Sequence, residues 1–299
     1  MINQLIFNQL INPSVRGLYY KLLLKIRSIL LSLNPSSTIQ YPYNNFDLTF
    51  PFSHDYPLNR KEVPLYSENL GVVSKLILSK YKDAVAIDVG ANIGDSAAII
   101  SYYSKMPVLC IEGNPKFIPM LEKNSKQMQN VTIECSFVGE TNETVKTINY
   151  GGTARVEKAE TGVEVRTVEE ILNKHTNFKH AKLFKIDTDG FDFKILRAAE
   201  QFLLNSKPII FFEFDPFFLI KQNENPANIF PFLNKLNYTS LMLFDNHGKF
   251  ICEAKSDQTD LLQDFIHYFN NNGNTYMDIC ALQSDDHDLV LKIKKEFQQ

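Results

Sequence analysis

The chain of 299 residues has no tryptophan, and its four cysteines, Cys110, Cys135, Cys252 and Cys280, are spread along it. None forms a CxxC pair, which argues against a zinc knuckle or a disulfide-dense scaffold. Cys110, Cys135 and Cys280 each fall in a strand-like apolar run and read as buried, reduced thiols. No run of eighteen uncharged apolar residues exists, so no transmembrane helix is expected. The N-terminus does not read as a signal peptide: Arg16, Lys21, Lys25 and Arg27 interrupt the apolar core, and no small-residue cleavage site follows. Positive charge is not in excess either. The formal net charge is −3, which gives the molecule as a whole no electrostatic case for binding nucleic acid. The histidines, His54, His175, His180, His247, His267 and His287, show neither H-x-x-x-H nor H-x-H spacing, and no metal site is expected. Asp285-Asp286-His287-Asp288 reads as a solvated turn and Lys292–Lys295 as a solvated helix face.

What is present is enough for a full α/β core with an extension: 44% of residues are apolar, and Phe and Tyr are plentiful. Residues 1–45 stand apart. Their charges are basic, and the first acidic residue is Asp47. Leu18, Leu22, Ile26 and Ile29 recur at three- and four-residue spacing, beside Leu23 and Leu30. This reads as one or two amphipathic helices with basic flanks, suited to an anionic membrane surface through residues 1–33, to their own domain, or to a homodimer partner. Asn34-Pro35-Ser36-Ser37 breaks the pattern. Residues 40–66, rich in Tyr, Pro, Asn and Phe, read as irregular, and a helix over about 67–80 closes a lead-in at 46–80.

From residue 81 the pattern alternates. Strands are predicted at 84–89, 107–112 and 131–138, with helices at 95–104 and 116–128 between them. Such spacing means βαβ units and a parallel sheet. Residues 143–166 break the rhythm, with short strands at 144–150 and 162–166 around a Gly151-Gly152 turn. Thr167-Val168-Glu169-Glu170 has the spacing of a capping box for a helix through Lys174. Strand, helix, strand follow at 182–187, 191–204 and 208–214. A helix at 226–236 and strands at 238–244 and 275–283 complete the reading. The fold expected is a doubly wound, mostly parallel α/β sheet of Rossmann type over 81–299, with an N-terminal helical extension.

The chemistry concentrates where the first strand runs into Asp88-Val89-Gly90-Ala91-Asn92-Ile93-Gly94 and then a helix. Glycine allows a sharp turn and close approach of a ligand to the backbone. The helix N-terminus beyond presents free N–H groups. A dinucleotide loop, G-x-G-x-x-G counted from Gly90, needs glycine at 92 and 95, where Asn92 and Asp95 stand. A methyl-donor loop, acid-x-G-x-G-x-G, matches at Asp88, Gly90 and Gly94, and Asn92 is the next-best residue for a positive φ. The second strand ends in Glu112, placed to accept hydrogen bonds from both hydroxyls of a ribose.

Residues 85–94, followed by Cys110-Ile111-Glu112-Gly113-Asn114-Pro115, resemble the FkbM family of class I methyltransferases. So do Lys185-Ile186-Asp187-Thr188-Asp189-Gly190-Phe191-Asp192, leading to Ile195-Leu196-Arg197-Ala198-Ala199, and the apolar strand Pro208–Phe214 with Glu213 near its end. The resemblance covers about residues 80–283. Asp189 and Asp192 depart from the family's Glu, shortening each carboxylate by a methylene. The family glycine near Ala199 is missing, which concerns helix packing. The resemblance implies S-adenosylmethionine as cofactor, held by Asp88, Gly90, Asn92, Gly94, Glu112 and Asn114. It implies methyl transfer to a hydroxyl, often of a sugar or a natural-product alcohol, and a sugar in a glycan or glycolipid precursor is the acceptor expected here; the basic N-terminal segment adds the expectation of a cytoplasmic protein at the inner face of the membrane. Asp187, Asp189 and Glu213 are the candidate bases, Asp187 first because it ends the fourth strand. The same acids could instead orient the loop or bind a divalent cation. Asp55-Tyr56-Pro57 and Tyr66 are candidates for the acceptor pocket. The competing readings are a nicotinamide-dependent oxidoreductase and a cofactor-binding module without turnover.

Overall fold

The computed structural model describes residues 2–141, 143–150, 153–158, 162–271 and 275–298. The chain opens with α1 (Ile2–Leu10) and α2 (Gly17–Leu33), then β1 (Thr38–Tyr43), β2 (Phe46–Pro51), α3 (Tyr56–Glu62) and α4 (Glu68–Lys80). The expectation that 40–66 is irregular is therefore corrected. β1 and β2 form a hairpin in register from Thr38–Pro51 to Tyr43–Phe46, and Asn44 takes the positive φ of +49° that its two-residue turn requires. Its inward residues Ile39, Tyr43, Leu48 and Phe50 are buried, which offsets the weak strand propensity of Pro42.

The alternating part follows as β3 (Ala86–Val89), α5 (Asp95–Tyr103), β4 (Val108–Ile111), α6 (Ile118–Ser125) and β5 (Val131–Glu134). The strand predicted at 131–138 is two. After Glu134 the chain leaves the main sheet, and β6 (Phe137–Val138) joins a smaller one with β7 (Glu143–Tyr150), β8 (Thr153–Lys158) and β9 (Val163–Arg166) in the order β6-β9-β7-β8. Glu134 is held by Lys174 Nζ at 2.7 Å and His175 Nε2 at 2.8 Å, which fixes that departure. Cys135, expected buried, is exposed in the connection, whereas Cys110 and Cys280 are buried. The Gly151-Gly152 turn lies outside the described residues.

α7 (Val168–Lys174) starts with the N-cap bond of the expected capping box, the Glu170 N–H donating to Thr167 Oγ1 at 3.2 Å. β10 (Leu183–Ile186), α8 (Asp192–Ala198), α9 (Glu200–Ser206) and β11 (Ile209–Phe214) follow. The single helix expected at 191–204 bends at Ala199, which is wholly buried, while the bonds from Ala199 N to Ile195 O and from Leu203 N to Ala199 O continue across it. The remainder is α10 (Pro216–Lys221), α11 (Ile229–Lys235), β12 (Ser240–Asp245), β13 (Phe250–Lys255), α12 (Thr259–Asn271), β14 (Met277–Leu282) and α13 (His287–Phe297). Sequence reasoning left β13 and α12 unassigned.

The main sheet has eight strands in the order β13-β12-β14-β11-β10-β3-β4-β5. β11, β10, β3, β4 and β5 run parallel. β14 is antiparallel to both β11 and β12, and β13 is antiparallel to β12. The fold is therefore a doubly wound, mostly parallel Rossmann-like sheet. Its strand order reverses between β3 and β10, the switch point where such sheets bind ligands beyond their carboxyl ends. Two apolar cores cover the two faces: Ile87, Val89, Leu109 and Phe184 face one, and Ala86, Val108, Cys110 and Leu183 the other. Phe7, Tyr43, Phe50 and Tyr56 of the N-terminal segment pack into the second core. Among the described residues no helix is long and apolar enough to cross a membrane.

Candidate active site

At the switch point the glycine loop folds tightly against β10. Gly90 has φ +78°, and a Cβ there would overlap the Asp187 carbonyl oxygen, so only glycine fits. Asn92 takes φ +50° and Gly94 φ +89°, which accounts for Asn in place of the middle glycine. The Asn92 N–H donates to Glu112 Oε2 at 2.7 Å and the Asn114 N–H to Oε1 at 2.6 Å. The buried Glu112 carboxylate thus ties the loop to the end of β4, with lone pairs left for a ligand. Asn114 Oδ1 accepts from Lys116 N at 3.0 Å, shaping the turn. Asn124, wholly buried on α6, donates to Ile93 O at 2.9 Å and to Thr49 O at 3.0 Å, joining the loop to the N-terminal hairpin.

Asp88 is wholly buried beside Lys185 of β10, its register partner, and lines neither cavity of the site, whereas Lys185 lines one. Lys185 Nζ lies 3.0 Å from Asp88 Oδ1 and 3.4 Å from Asp187 Oδ2. Burial opposes the Lys185 charge, but Asp88, Asp187 and Asp95 outweigh it and hold the ammonium above the ordinary lysine range. Sequence reasoning quoted Lys185 in a motif without assigning it this task.

The turn after β10 carries the remaining acids. Asp189 has φ +51° and Gly190 φ +92°. Asp tolerates that left-handed conformation better than Glu does, which gives the departure at 189 a backbone reason. Asp192 is buried, and its Oδ2 accepts from Gly190 N at 3.2 Å. Its carboxyl braces the turn and lines neither of the two cavities of the site, so the shortened side chain at 192 bears on the loop.

Two cavities open here. One, of about 420 Å³, is lined by Val89, Ile111, Glu112, Asn114, Phe117 and Phe137 among others. The other, of about 310 Å³, is lined by Asp55, Tyr56, Tyr66, Glu213, Tyr276 and Asp278 among others. Gly90, Asn92, Asp187 and Asp189 line both. All three candidate bases therefore border the second cavity, and Asp187 and Asp189 stand where it meets the first. Of the residues named as candidates for an acceptor pocket, Asp55, Tyr56 and Tyr66 are on its wall and Pro57 is not. Tyr66 and Tyr276 share a hydroxyl hydrogen bond of 3.0 Å, and Asn69 donates to Asp278 Oδ2 at 3.1 Å. Asp278 was missed; its signal was a lone charge in the apolar run Met277–Leu282. His54 Nδ1 accepts from Tyr56 N at 3.2 Å. Burial pushes His54 down to about 4, so at neutral pH its ring carries one proton, on Nε2. Among the described residues no group of three His, Cys, Asp or Glu is arranged to hold a metal ion.

Burial raises the acids of the site. Asp95 and Asp189 are pushed up to about 6, and Glu112, Asp192 and Asp278 to about 7. Glu213 is pushed well above the carboxylate range by burial and then by Asp187, Asp192 and Asp278, the last its cross-strand partner. A carboxyl whose pKa rises on folding binds more protons folded than unfolded between about pH 4 and 7, so stability falls as pH rises through that window. His54 acts in the opposite direction there, and the depressed Glu134, Glu253 and Asp288 act below about pH 4.5. The raised acids outnumber these, so the ligand-free protein should melt at a higher temperature at pH 5.5 than at pH 8. A scanning calorimetry series in which Tm climbs steadily to pH 8 would contradict the charge arrangement described.

The family model of the methyltransferase FkbM domain matches residues 88–240, just over half of the chain. Among solved structures, methyltransferase FkbM from Methylobacillus flagellatus KT is 18% identical over 52% of this chain and 37% of its own, with a TM-score of 0.35. The chain thus matches little more than a third of that protein's length. A precorrin-6y C5,15-methyltransferase from Geobacter metallireducens GS-15 is 16% identical over 71% of this chain and 88% of its own, with a TM-score of 0.40. N-methyltransferase NodS from Bradyrhizobium japonicum WM9, in complex with S-adenosyl-L-homocysteine, is 9% identical over 78% and 94%, with a TM-score of 0.41. No curated protein matches the chain.

Proposed function

The chain belongs to the FkbM methyltransferase family, and from that premise we propose that it transfers a methyl group from S-adenosylmethionine to a hydroxyl oxygen of a sugar, in a glycan or glycolipid precursor of the cytoplasm. The observation that carries this reading is the junction of two cavities at Gly90, Asn92, Asp187 and Asp189. One cavity suits the donor and the other the acceptor.

The residues of the larger cavity fit S-adenosylmethionine. Ile111, Phe117, Phe137 and Val138 offer apolar walls for a purine. Glu112 would accept from the ribose hydroxyls. Asn92 Oδ1, buried and without a hydrogen bond, is an acceptor free for an ammonium group. Bound there, the donor supplies an electrophilic methyl on a sulfonium.

In the smaller cavity Tyr56, Tyr66 and Tyr276 present aromatic surface, and Asn59, Asn69 and Asn246 present amides. This mixture suits a polyol. Asp55, Asp95, Asp187, Asp189, Glu213 and Asp278 line it with Lys185 as the lysine among them. Burial protonates Glu213 and part of Asp278 at neutral pH, but the other acids still outnumber Lys185, and a wall of that sign disfavours a phosphate at the reacting end and favours a neutral or amine-bearing sugar. Asp187, positioned by Lys185, takes the hydroxyl proton as the oxygen forms its bond to the methyl carbon and the sulfur–carbon bond breaks. Most of the acceleration is alignment of oxygen, carbon and sulfur.

Asp187→Asn should lower kcat on the order of 10²- to 10⁴-fold, the usual contribution of a general base, while S-adenosylhomocysteine still binds. Transfer of labelled methyl into saccharide and lipid-linked saccharide pools checks both parts. Label that never enters those pools removes the sugar acceptor. Donor binding without transfer to any hydroxyl acceptor favours a module that binds but does not turn over.

A further inference from the structure

We propose that the outward face of α2 docks on an anionic lipid surface and thereby sets the acceptor cavity beside a membrane. Leu18, Leu22, Ile29 and Leu33 fall within about 60° of one another around the helix at 3.6 residues per turn. They are 85%, 53%, 60% and 77% exposed. Four large aliphatic side chains on one face are left largely uncovered among the described residues, a pattern that marks an interaction surface and not scattered exposure. Lys21 and Lys25 border the stripe, Arg16 precedes the helix, and no acidic residue occurs before Asp47. Aliphatic side chains edged by cations of one sign match the interfacial region of an anionic bilayer, where the apolar face enters the acyl boundary and the lysines meet the headgroups. A second copy of the chain would bring like charges together.

The opposite face of α2 contacts the segment that walls the acceptor cavity. Leu23 is buried, and Arg27 lies about half a turn from the stripe. The Arg27 Nε–H donates to Phe52 O at 2.9 Å, and its guanidinium pairs with Asp55 Oδ1 at 2.8 Å. Lys61 of α3 donates to Val15 O at 2.8 Å and lies 4.0 Å from the centre of the Tyr20 ring. Asp55 and Tyr56 line the cavity, so the helix that would lie on the lipid also carries the cavity wall. The docking surface stands without the methyl-transfer reading; only the statement that the acceptor is lipid-held rests on that reading.

The test is flotation of the full chain with vesicles of phosphatidylcholine alone and of phosphatidylcholine with about 30% phosphatidylserine, an anionic surface of the kind that attracts basic segments. Wild type should float with the anionic vesicles and far less with neutral ones. Each lysine at such a surface is worth about fivefold in partitioning, so Lys21→Ala/Lys25→Ala should lose roughly 25-fold. Leu22→Ser/Ile29→Ser should lose at least roughly tenfold. These side chains are exposed, so Tm and S-adenosylhomocysteine binding should be unchanged in both variants. Wild type that stays in solution, or variants that float as well as it does, would overturn the proposal. So would a wild-type dimer, seen by light scattering, that Leu22→Ser/Ile29→Ser converts to monomer without any vesicle binding. Methyl transfer to soluble saccharides alongside failed flotation would remove the surface and leave the activity standing.

Discussion

Lys185→Met should destabilise the folded chain by about 3–5 kcal/mol, the cost of leaving one member of a buried ion pair uncompensated. Lys185 and Asp88 are 5% and 0% exposed, 3.0 Å apart, on adjacent strands of the sheet centre. Methionine keeps most of the aliphatic stem, so the loss isolates the ammonium. Asp88, already raised by burial against the pull of Lys185, would have to take up a proton to remain folded. The double variant Lys185→Met/Asp88→Asn should recover most of the loss, because neither buried charge is then unpaired. Urea unfolding of the four proteins of this cycle checks it. Equal stability of Lys185→Met and wild type would mean the pair does not hold the β3–β10 junction.

Gly90→Ala should have its main effect on the donor. The residue sits at φ +78°, and the new methyl would press on the Asp187 carbonyl, a backbone atom that cannot swing away. Relief requires β3 and β10 to separate where the two cavities meet. Strain of about 1–3 kcal/mol at such positions corresponds to roughly 5- to 150-fold in binding. Calorimetric titration with S-adenosylhomocysteine reads this directly, and Tm separates it from loss of fold. Gly94→Ala should be milder, since its Cβ would meet the flexible Leu121 side chain.

The glycine loop was legible because its determinants lie within seven consecutive residues, and Glu112 because strand-end acids keep a fixed place relative to that loop. The pairing of Asp88 with Lys185 was not, because it depends on the register of two strands almost a hundred residues apart. Asp278 entered the site through a strand that inserts antiparallel beside β11 and sets it opposite Glu213. Nothing local in the sequence announces that placement. The hairpin of β1 and β2 was hidden by Pro42 and by polar residues, and only burial of its inner face against the second core makes it stable. α12 carried its own signal, with Leu262, Phe265, Ile266 and Phe269 at helical spacing, which the reading of strands passed over. Asp189 and Asp192 looked like weakened copies of a motif. In the fold one meets a left-handed backbone and the other braces the turn beside it.

The central claim is that the loop from Asp88 to Gly94 holds S-adenosylmethionine. Calorimetric titration of the wild-type chain with S-adenosylhomocysteine, with NAD as the comparison ligand, tests it most directly. The account predicts binding of the homocysteine ligand that collapses in Gly90→Ala, with no heat from NAD. Binding of NAD, or silence toward both ligands in a folded protein, would contradict it.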